Sequence, residues 1–247
     1  EPDVALGPRR PMVTPFARAL ALLGAFTPRE RWLGNRELAQ RTGLPASTVT
    51  RLAQSLVALG YLHHAPAERK YRLSAAVLAL GYAAIANSEV QRLARTQMRA
   101  FADRHKVHVS LSSRDRLDLI VLESCSSPDA PLALNLHVGA RAGLASSPMG
   151  WALLAALPDA ERQVLLANVE RHMAREWPRQ RRRVSEALAQ VGEKGYCSSV
   201  GEWDRDLGIV AAPVLIDGHC VGAVGVSGVK SSEDAQIARA GIAALGD

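Results

Sequence analysis

Cysteine is sparse in this 247-residue chain: Cys125, Cys197 and Cys220 are scattered, odd in number and form no C-x-x-C pair. That pattern excludes a disulfide scaffold and points to a reducing compartment. Long apolar runs are missing as well. The longest, from Leu73 to Ala86, is too short to span a bilayer and is interrupted by Gly81 and Tyr82. No charged-then-apolar signal segment opens the sequence, so the expected location is the cytoplasm, with no membrane partner. Signatures of catalysis are also lacking. Gly225-Val226-Ser227-Gly228-Val229 has no final Gly of a nucleophile elbow. Gly222, Gly225 and Gly228 do not make a dinucleotide fingerprint, and no P-loop occurs. His63-His64 and His105/His108 have no third Cys or His at ligand spacing. They are read as strand and surface histidines, and no metal or cofactor is expected.

What is present is a globular composition, 48% hydrophobic and 22% charged. At ~150 residues per domain the length suits one large domain or two small ones. The net charge of +6 is unevenly placed. Residues 1–86 carry 11 Lys/Arg against 5 Asp/Glu, whereas residues 87–247 carry 19 of each. The whole positive excess therefore lies in the first third, which points to a polyanionic partner such as nucleic acid.

Residues 1–15, with Pro2, Pro8, Pro11 and Pro15, read as a flexible arm. From Phe16 apolar residues recur three or four apart up to Pro28, a helical pattern. Asn35 is the expected N-cap of a short helix through Thr42, followed by Gly43 at a left-handed turn position. Pro45 is expected to open a second helix that buries Val49, Leu52, Leu56 and Leu59 and stops at Gly60. Two short strands follow, Tyr61–His64 and Lys70–Leu73, then a helix from Ala75 to about Asn87 capped by Ser74. Beyond residue 88 the pattern predicts an α+β unit. A helix covers Val90–His105, and strands cover Val107–Ser113, Leu117–Ser124, Leu132–Leu136, Tyr196–Val200, Ile209–Ile216 and Cys220–Ser227. Helices are expected at Ser147–Leu157, 159–172, 178–194 and Glu233–Leu245, with Asp217-Gly218 as a hairpin turn.

Helix, turn, helix and two strands within residues 16–73 is the order of a winged helix-turn-helix. The residues left outward on its second helix are Ser47, Thr48, Thr50, Arg51 and Gln54, side chains suited to base edges or phosphates. Arg69 and Lys70 fall in the wing turn, and Arg36 near a helix start, where they reach backbone phosphates. The competing reading is a three-helix module that only packs or dimerises.

Leu38-Ala39, Thr42-Gly43-Leu44-Pro45-Ala46-Ser47-Thr48-Val49-Thr50-Arg51-Leu52, Leu59-Gly60-Tyr61 and Tyr71-Arg72-Leu73 together resemble the IclR family of bacterial transcriptional regulators. Ala46 stands where that family usually has Lys, and Thr50 where His is frequent. In the second part Val138-Gly139, Ser147-Pro148-Met149-Gly150-Trp151, Ala211-Ala212-Pro213-Val214 and Val226-Ser227-Gly228 are similar to the family's later landmarks. The resemblance implies a winged helix-turn-helix over 16–73, a linker helix over 74–88 and a GAF-like α+β effector-binding domain over 89–247. It also implies homodimers held through the N-terminal part, often paired into tetramers, a double-stranded DNA operator and a small organic effector.

The effector positions implied by the family fall on Leu134, Pro148, Met149, Ser199, Ile209, Gly225 and Ser227. Ser147 as a cap, and the N–H groups after it through Gly150, offer a seat for a carboxylate. Ser199 stands where the family commonly has an acid, Ile209 where Cys occurs, Gly225 where Ser occurs, and Trp151 replaces the usual Lys. These departures favour a larger aromatic or aliphatic acid over a small, highly polar one. The alternative class is an enzyme or carrier built on the second domain, with residues 1–86 serving only for dimerisation. Arg179, Arg181, Arg182 and Arg183 are read as a solvated helix face.

Overall fold

The computed structural model describes residues 13–28, 30–86, 89–130, 136–204 and 207–230. The chain divides into two compact units, Glu1–Asn87 and Ser88–Asp247.

In the first unit α1 (Thr14–Leu23), α2 (Asn35–Thr42) and α3 (Ala46–Ala58) enclose Leu22, Leu38, Val49, Ala53 and Leu56. On α3 the buried residues lie three or four apart, which places them on one face; Leu59, expected inside with them, caps the helix end and is 69% exposed. β2 (Leu62–Ala65) and β3 (Lys70–Leu73) form the expected hairpin, with Leu62 opposite Leu73. A further strand, β1 (Leu33–Gly34), pairs on the other side of β3 through Leu33 and Tyr71. Two residues are too few for an alternation to show, so periodicity does not predict this strand. α4 (Ala75–Ala86) follows Ser74, whose Oγ accepts the Ala76 N–H at 3.2 Å.

Three helix ends differ from expectation. α1 stops at Leu23, short of Pro28, where the Gly24 N–H bonds back to the Leu20 carbonyl at 2.9 Å. Gly34 caps α2 in place of Asn35: the Gly34 N–H donates to Glu37 Oε2 at 2.6 Å, and Asn35 becomes the first helical residue. Pro45 is the cap of α3 and not its first residue, since its ψ of 141° is extended while its carbonyl already accepts the Val49 N–H at 3.0 Å. Of the expected arm, residues 1–12 lie outside the described residues, and Thr14 and Pro15 are already helical.

The described residues of the second unit form an antiparallel six-stranded sheet in the order β6-β5-β4-β9-β8-β7. Its strands are β4 (His108–Asp115), β5 (Asp118–Ser126), β6 (Arg141–Gly143), β7 (Cys197–Asp204), β8 (Leu207–Ile216) and β9 (His219–Lys230). Alternation along the strands sorts side chains onto two faces. Val109, Leu111, Cys125, Val210, Val224 and Val226 pack with Ala94, Met98 and Ala102 of α5 (Glu89–His105). On the other side Cys197, Ala211 and Ala223 join α6 (Pro148–Ala156), α7 (Asp159–His172) and α8 (Trp177–Lys194). β6 has no counterpart among the strands that patterning predicts. It is held where Arg141 reaches Asp115 at 2.6 Å and Asp118 at 3.1 Å, bonds that raise the pKa of its guanidinium. Leu132–Leu136, apart from Leu136, and the helix Glu233–Leu245 lie outside the described residues.

Candidate nucleic-acid interface and ligand site

The turn between α2 and α3 is built by local chemistry. Thr42 Oγ1 donates to the Leu38 carbonyl at 2.7 Å, and Gly43 adopts φ +67°, a left-handed conformation that costs glycine nothing. Asn35 Nδ2 donates to the Ala46 carbonyl at 3.1 Å, tying the start of α2 to the start of α3. Arg41 pairs with Glu30 and donates to the Ala25 carbonyl at 2.9 Å, so its charge is used within the unit.

With Val49, Ala53 and Leu56 buried, helical spacing puts Ser47, Arg51 and Gln54 on the opposite side of α3, and all three are exposed. Thr48 and Thr50 flank that stripe and are half-buried. Thr50 Oγ1 donates to the Ala46 carbonyl at 3.0 Å, which commits its hydroxyl proton to the helix backbone. Arg36 is exposed on the first turn of α2. At the hairpin tip Arg69 is exposed at φ +53°, and Lys70, half-buried, opens β3 opposite Gly34 and Ala65. Two neighbouring contacts are not legible in the sequence: Arg72 stacks over the Trp32 ring at 5.0 Å, and His64 lies on Tyr71 at 4.7 Å. The first of these follows from the pairing of β1 with β3, which no sequence pattern reveals.

The second unit brings most of the expected ligand residues onto the α6 side of the sheet. Antiparallel partners share a face, so the register defines rows across the strands. One row is Cys197, Ala211, Gly225, Ser110 and Ser124. α6 begins over it. Cys197 Sγ donates to the Pro148 carbonyl at 3.4 Å, and the Met149 side chain lies on Gly225, where a β-carbon would come within 2.7 Å of Met149 Cγ. Ser110 and Ser112 point their Oγ atoms at Met149 Sδ, 3.3 and 3.6 Å away. From there α6 runs toward Cys220, whose Sγ is 3.9 Å from the Leu153 carbonyl. The neighbouring row in the other direction, past the helix's first turn, is Ser199, Ile209, Ser227, His108 and Ser126.

That row is polar and buried at its centre. Ser227 is 1% exposed, and its Oγ has no hydrogen-bond partner among the described residues. His108 is 4% exposed, which corrects its reading as a surface histidine. Its Nε2 lies 3.4 Å from Ser124 Oγ, and burial lowers its pKa below the ordinary 6.5. His105 instead lies tilted against Phe101, ring centres 4.4 Å apart. The sequence does carry a signal for His108: Val107-His108-Val109-Ser110-Leu111-Ser112 alternates strictly, so one face of β4 is apolar and the other polar.

The start of α6 offers fewer donors than a bare helix end. Ser147 Oγ donates to the Gly143 carbonyl at 2.8 Å and accepts the Gly150 N–H at 3.2 Å, while Pro148 has no N–H. Met149 supplies the remaining N–H of the first turn. Leu134 lies outside the described residues. Arg179, Arg181 and Arg182 are exposed on α8, and Arg182 donates to Glu186 at 2.8 Å.

Models of two protein families match the chain: the IclR helix-turn-helix domain over residues 16–66, and the C-terminal domain of the bacterial transcriptional regulator IclR over residues 82–241. The HTH-type transcriptional regulator TsaQ1/TsaQ2 of Comamonas testosteroni is 34% identical over 205 residues, 83% of this chain and 73% of that protein. A crystal structure of an IclR family transcriptional regulator from Brucella abortus superposes with a TM-score of 0.78 at 35% identity, covering 96% of this chain and 91% of that one. An IclR homologue from Microbacterium hydrocarbonoxydans, complexed with 4-hydroxybenzoate, has a TM-score of 0.69 at 21% identity, covering 94% and 97%. The last comparison speaks to the fold alone.

Proposed function

This chain belongs to the IclR family of bacterial transcriptional regulators, and on that premise we propose how its two units divide the work. The first unit reads a double-stranded DNA operator through Ser47, Arg51 and Gln54 of α3, with Thr48 and Thr50 at the edges of the contact. Arg36, Arg69 and Lys70 hold phosphates. The observation that carries this reading is the exposed stripe on α3, set opposite a fully buried one, in the segment that holds the chain's whole positive excess.

The second unit binds a small organic acid between the start of α6 and the row Ser199, Ile209, Ser227, with Met149 and Pro148 as the apolar wall. The departures at Ser199, Ile209 and Gly225 make an aromatic acid the first class to test, and 4-hydroxybenzoate, held by a neighbour of the same fold, is a convenient probe. Phe16 and Leu20 on α1 and Leu78, Leu80 and Tyr82 on α4 are large apolar side chains left in solvent. Such surfaces favour association, here as a homodimer through the first unit. No described helix is long and apolar enough to cross a membrane, and a regulator of chromosomal DNA works in the cytoplasm.

Titration of the full chain with a mixed-sequence duplex at rising salt tests the first half. A steep loss of affinity is expected, since phosphate contacts release counterions; salt-independent binding would overturn it. Calorimetry with benzoate, 4-hydroxybenzoate and aliphatic mono- and dicarboxylates tests the second. Saturable binding by at least one acid is the expected result.

A further inference from the structure

We infer that His108 is the polar anchor of the ligand site, and that a carboxylate enters it together with one proton taken up by the imidazole. This rests on the reading that the second unit binds an organic acid.

The geometry is specific. His108 and Ser227 stand directly opposite each other on β4 and β9, in the row just past the first turn of α6. Both are buried, and the Ser227 hydroxyl has no partner among the described residues. A buried hydroxyl without a partner is costly, and a bound polar group removes that cost. His108 spends one ring nitrogen on Ser124 at 3.4 Å, a long and weak contact, so the imidazole retains hydrogen-bonding capacity.

The electrostatics then demand a proton. The three rows nearest His108 hold Ser110, Ser112, Ser124, Ser126, Ser199, Ser227, Ile209, Ala211, Ala223 and Gly225, with no Lys, Arg, Asp or Glu among them; farther along β4 on this face, Arg114 is paired with Glu161 of α7 at 3.0 Å. The one other titratable group in these rows is the Cys197 thiol, which burial pushes up to about 12 and keeps neutral. α6 contributes no ionisable side chain. Glu123 and Cys125 belong to the opposite face, which α5 covers: Arg95 pairs with Glu123, and Arg99 donates to the Ser126 carbonyl at 3.1 Å. Asp103, also on α5, acts on Cys125 from that same face.

Within these three rows and α6, an anion placed against His108 therefore finds a single backbone N–H at the start of the helix and no cation. Burial keeps the unliganded imidazole neutral at pH 7. An adjacent carboxylate favours the charged imidazolium and raises its pKa, drawing a proton from solvent as the acid binds. The proton ends on the imidazole, the ligand stays a carboxylate, and a buried ion pair replaces a buried neutral group.

The test uses the full chain and whichever of benzoate, 4-hydroxybenzoate and the aliphatic acids binds. Calorimetry at about pH 7.5 in phosphate and in Tris separates the buffers by ionisation enthalpy. Expected are net uptake approaching one proton and an affinity that weakens by up to about tenfold per pH unit above neutrality. In His108→Gln the uptake should vanish and the affinity should fall at least tenfold. Should His108→Gln fail to fold, the imidazole C2–H resonances of the wild type serve instead. One buried ring must then titrate higher with ligand than without. Binding without proton uptake, at an affinity indifferent to pH, would overturn the inference and leave the organic-acid reading standing. If none of these acids binds, that reading falls and the inference falls with it.

Discussion

Met149 lies on Gly225 so closely that any side chain at position 225 would strike it: a β-carbon there would be 2.7 Å from Cγ and 2.8 Å from Sδ. The two positions are therefore coupled, and the absence of the family's Ser at 225 is matched by a thioether filling the space. Gly225→Ser should destabilise the second unit by about 1–3 kcal/mol, the usual range for overpacking a core. Combined with Met149→Ala the cost should be smaller than the sum of the two single changes. Urea denaturation of the four chains checks this, and strict additivity would show that the two side chains do not meet.

Arg51→Ala and Gln54→Ala should each weaken binding to the cognate operator by about 1–3 kcal/mol, the discrimination carried by a bidentate base contact. Binding to mixed DNA should change far less. Equal losses on both would assign these side chains to phosphates. The measurement is fluorescence anisotropy with two duplexes.

Arg69 and Lys70 carry the opposite expectation. Replacing both by Ala should reduce affinity for every sequence alike and make the salt slope shallower by about 0.9 for each phosphate no longer neutralised. Because Arg69 sits at φ +53°, Arg69→Gly is the cleaner single change. It removes the charge while relaxing the backbone, so the wing should fold at least as well. Unchanged binding by Arg69→Gly would exclude a phosphate contact there.

Ser199→Asp places a carboxylate in the row that includes Ile209 and Ser227. Against a carboxylate ligand ~4 Å away the repulsion is about 4 kcal/mol at an effective dielectric of 20. Affinity for the acid should drop by orders of magnitude while DNA binding without ligand stays intact. Equal affinities would put the ligand's charge elsewhere on this face.

His108 also predicts a pH dependence of folding. Its pKa is lowered in the folded chain, so the unfolded state binds the proton more readily. The contribution of the neutral ring is present above pH 6.5 and is lost as pH falls from there through the folded value. Cys197 works from the other side. Its thiol rises from 9.0 to about 12, so its contribution is present below pH 9 and is lost as pH climbs toward 12. Thermal melts from about pH 5 to 7 should slope less steeply in His108→Gln than in the wild type. Parallel slopes would mean that the ring titrates normally.

The first unit is legible in the sequence because its signals are local. Leu38, Gly43, Val49, Leu52 and Leu56 sit at fixed spacings, and each spacing has one structural meaning. Misplacement falls at helix ends, at Gly24, Gly34 and Pro45, where capping depends on which carbonyl or carboxylate is near, and at Leu59, which ends α3 in solvent. β1 and β6 stay hidden for a different reason. Each has three residues or fewer, and exists because β3 or Arg141 with Asp115 and Asp118 gives it something to pair with. His108 is legible in part. The alternation on β4 announces a polar face, but only the cross-strand register with Ser227 shows that this face is buried.

Among the described residues the sheet ends at β6 on one side and β7 on the other, and each margin is unsuitable for continuation. β6 is three residues long, with Arg141 on it held by two carboxylates. β7 loses its register with β8 between Val200 and Asp204. An open strand margin is a template on which another chain can stack, and short, charged or bulged strands defeat that stacking. The second unit is thereby protected against fibre-like growth at high concentration, and its self-association is steered away from strand addition.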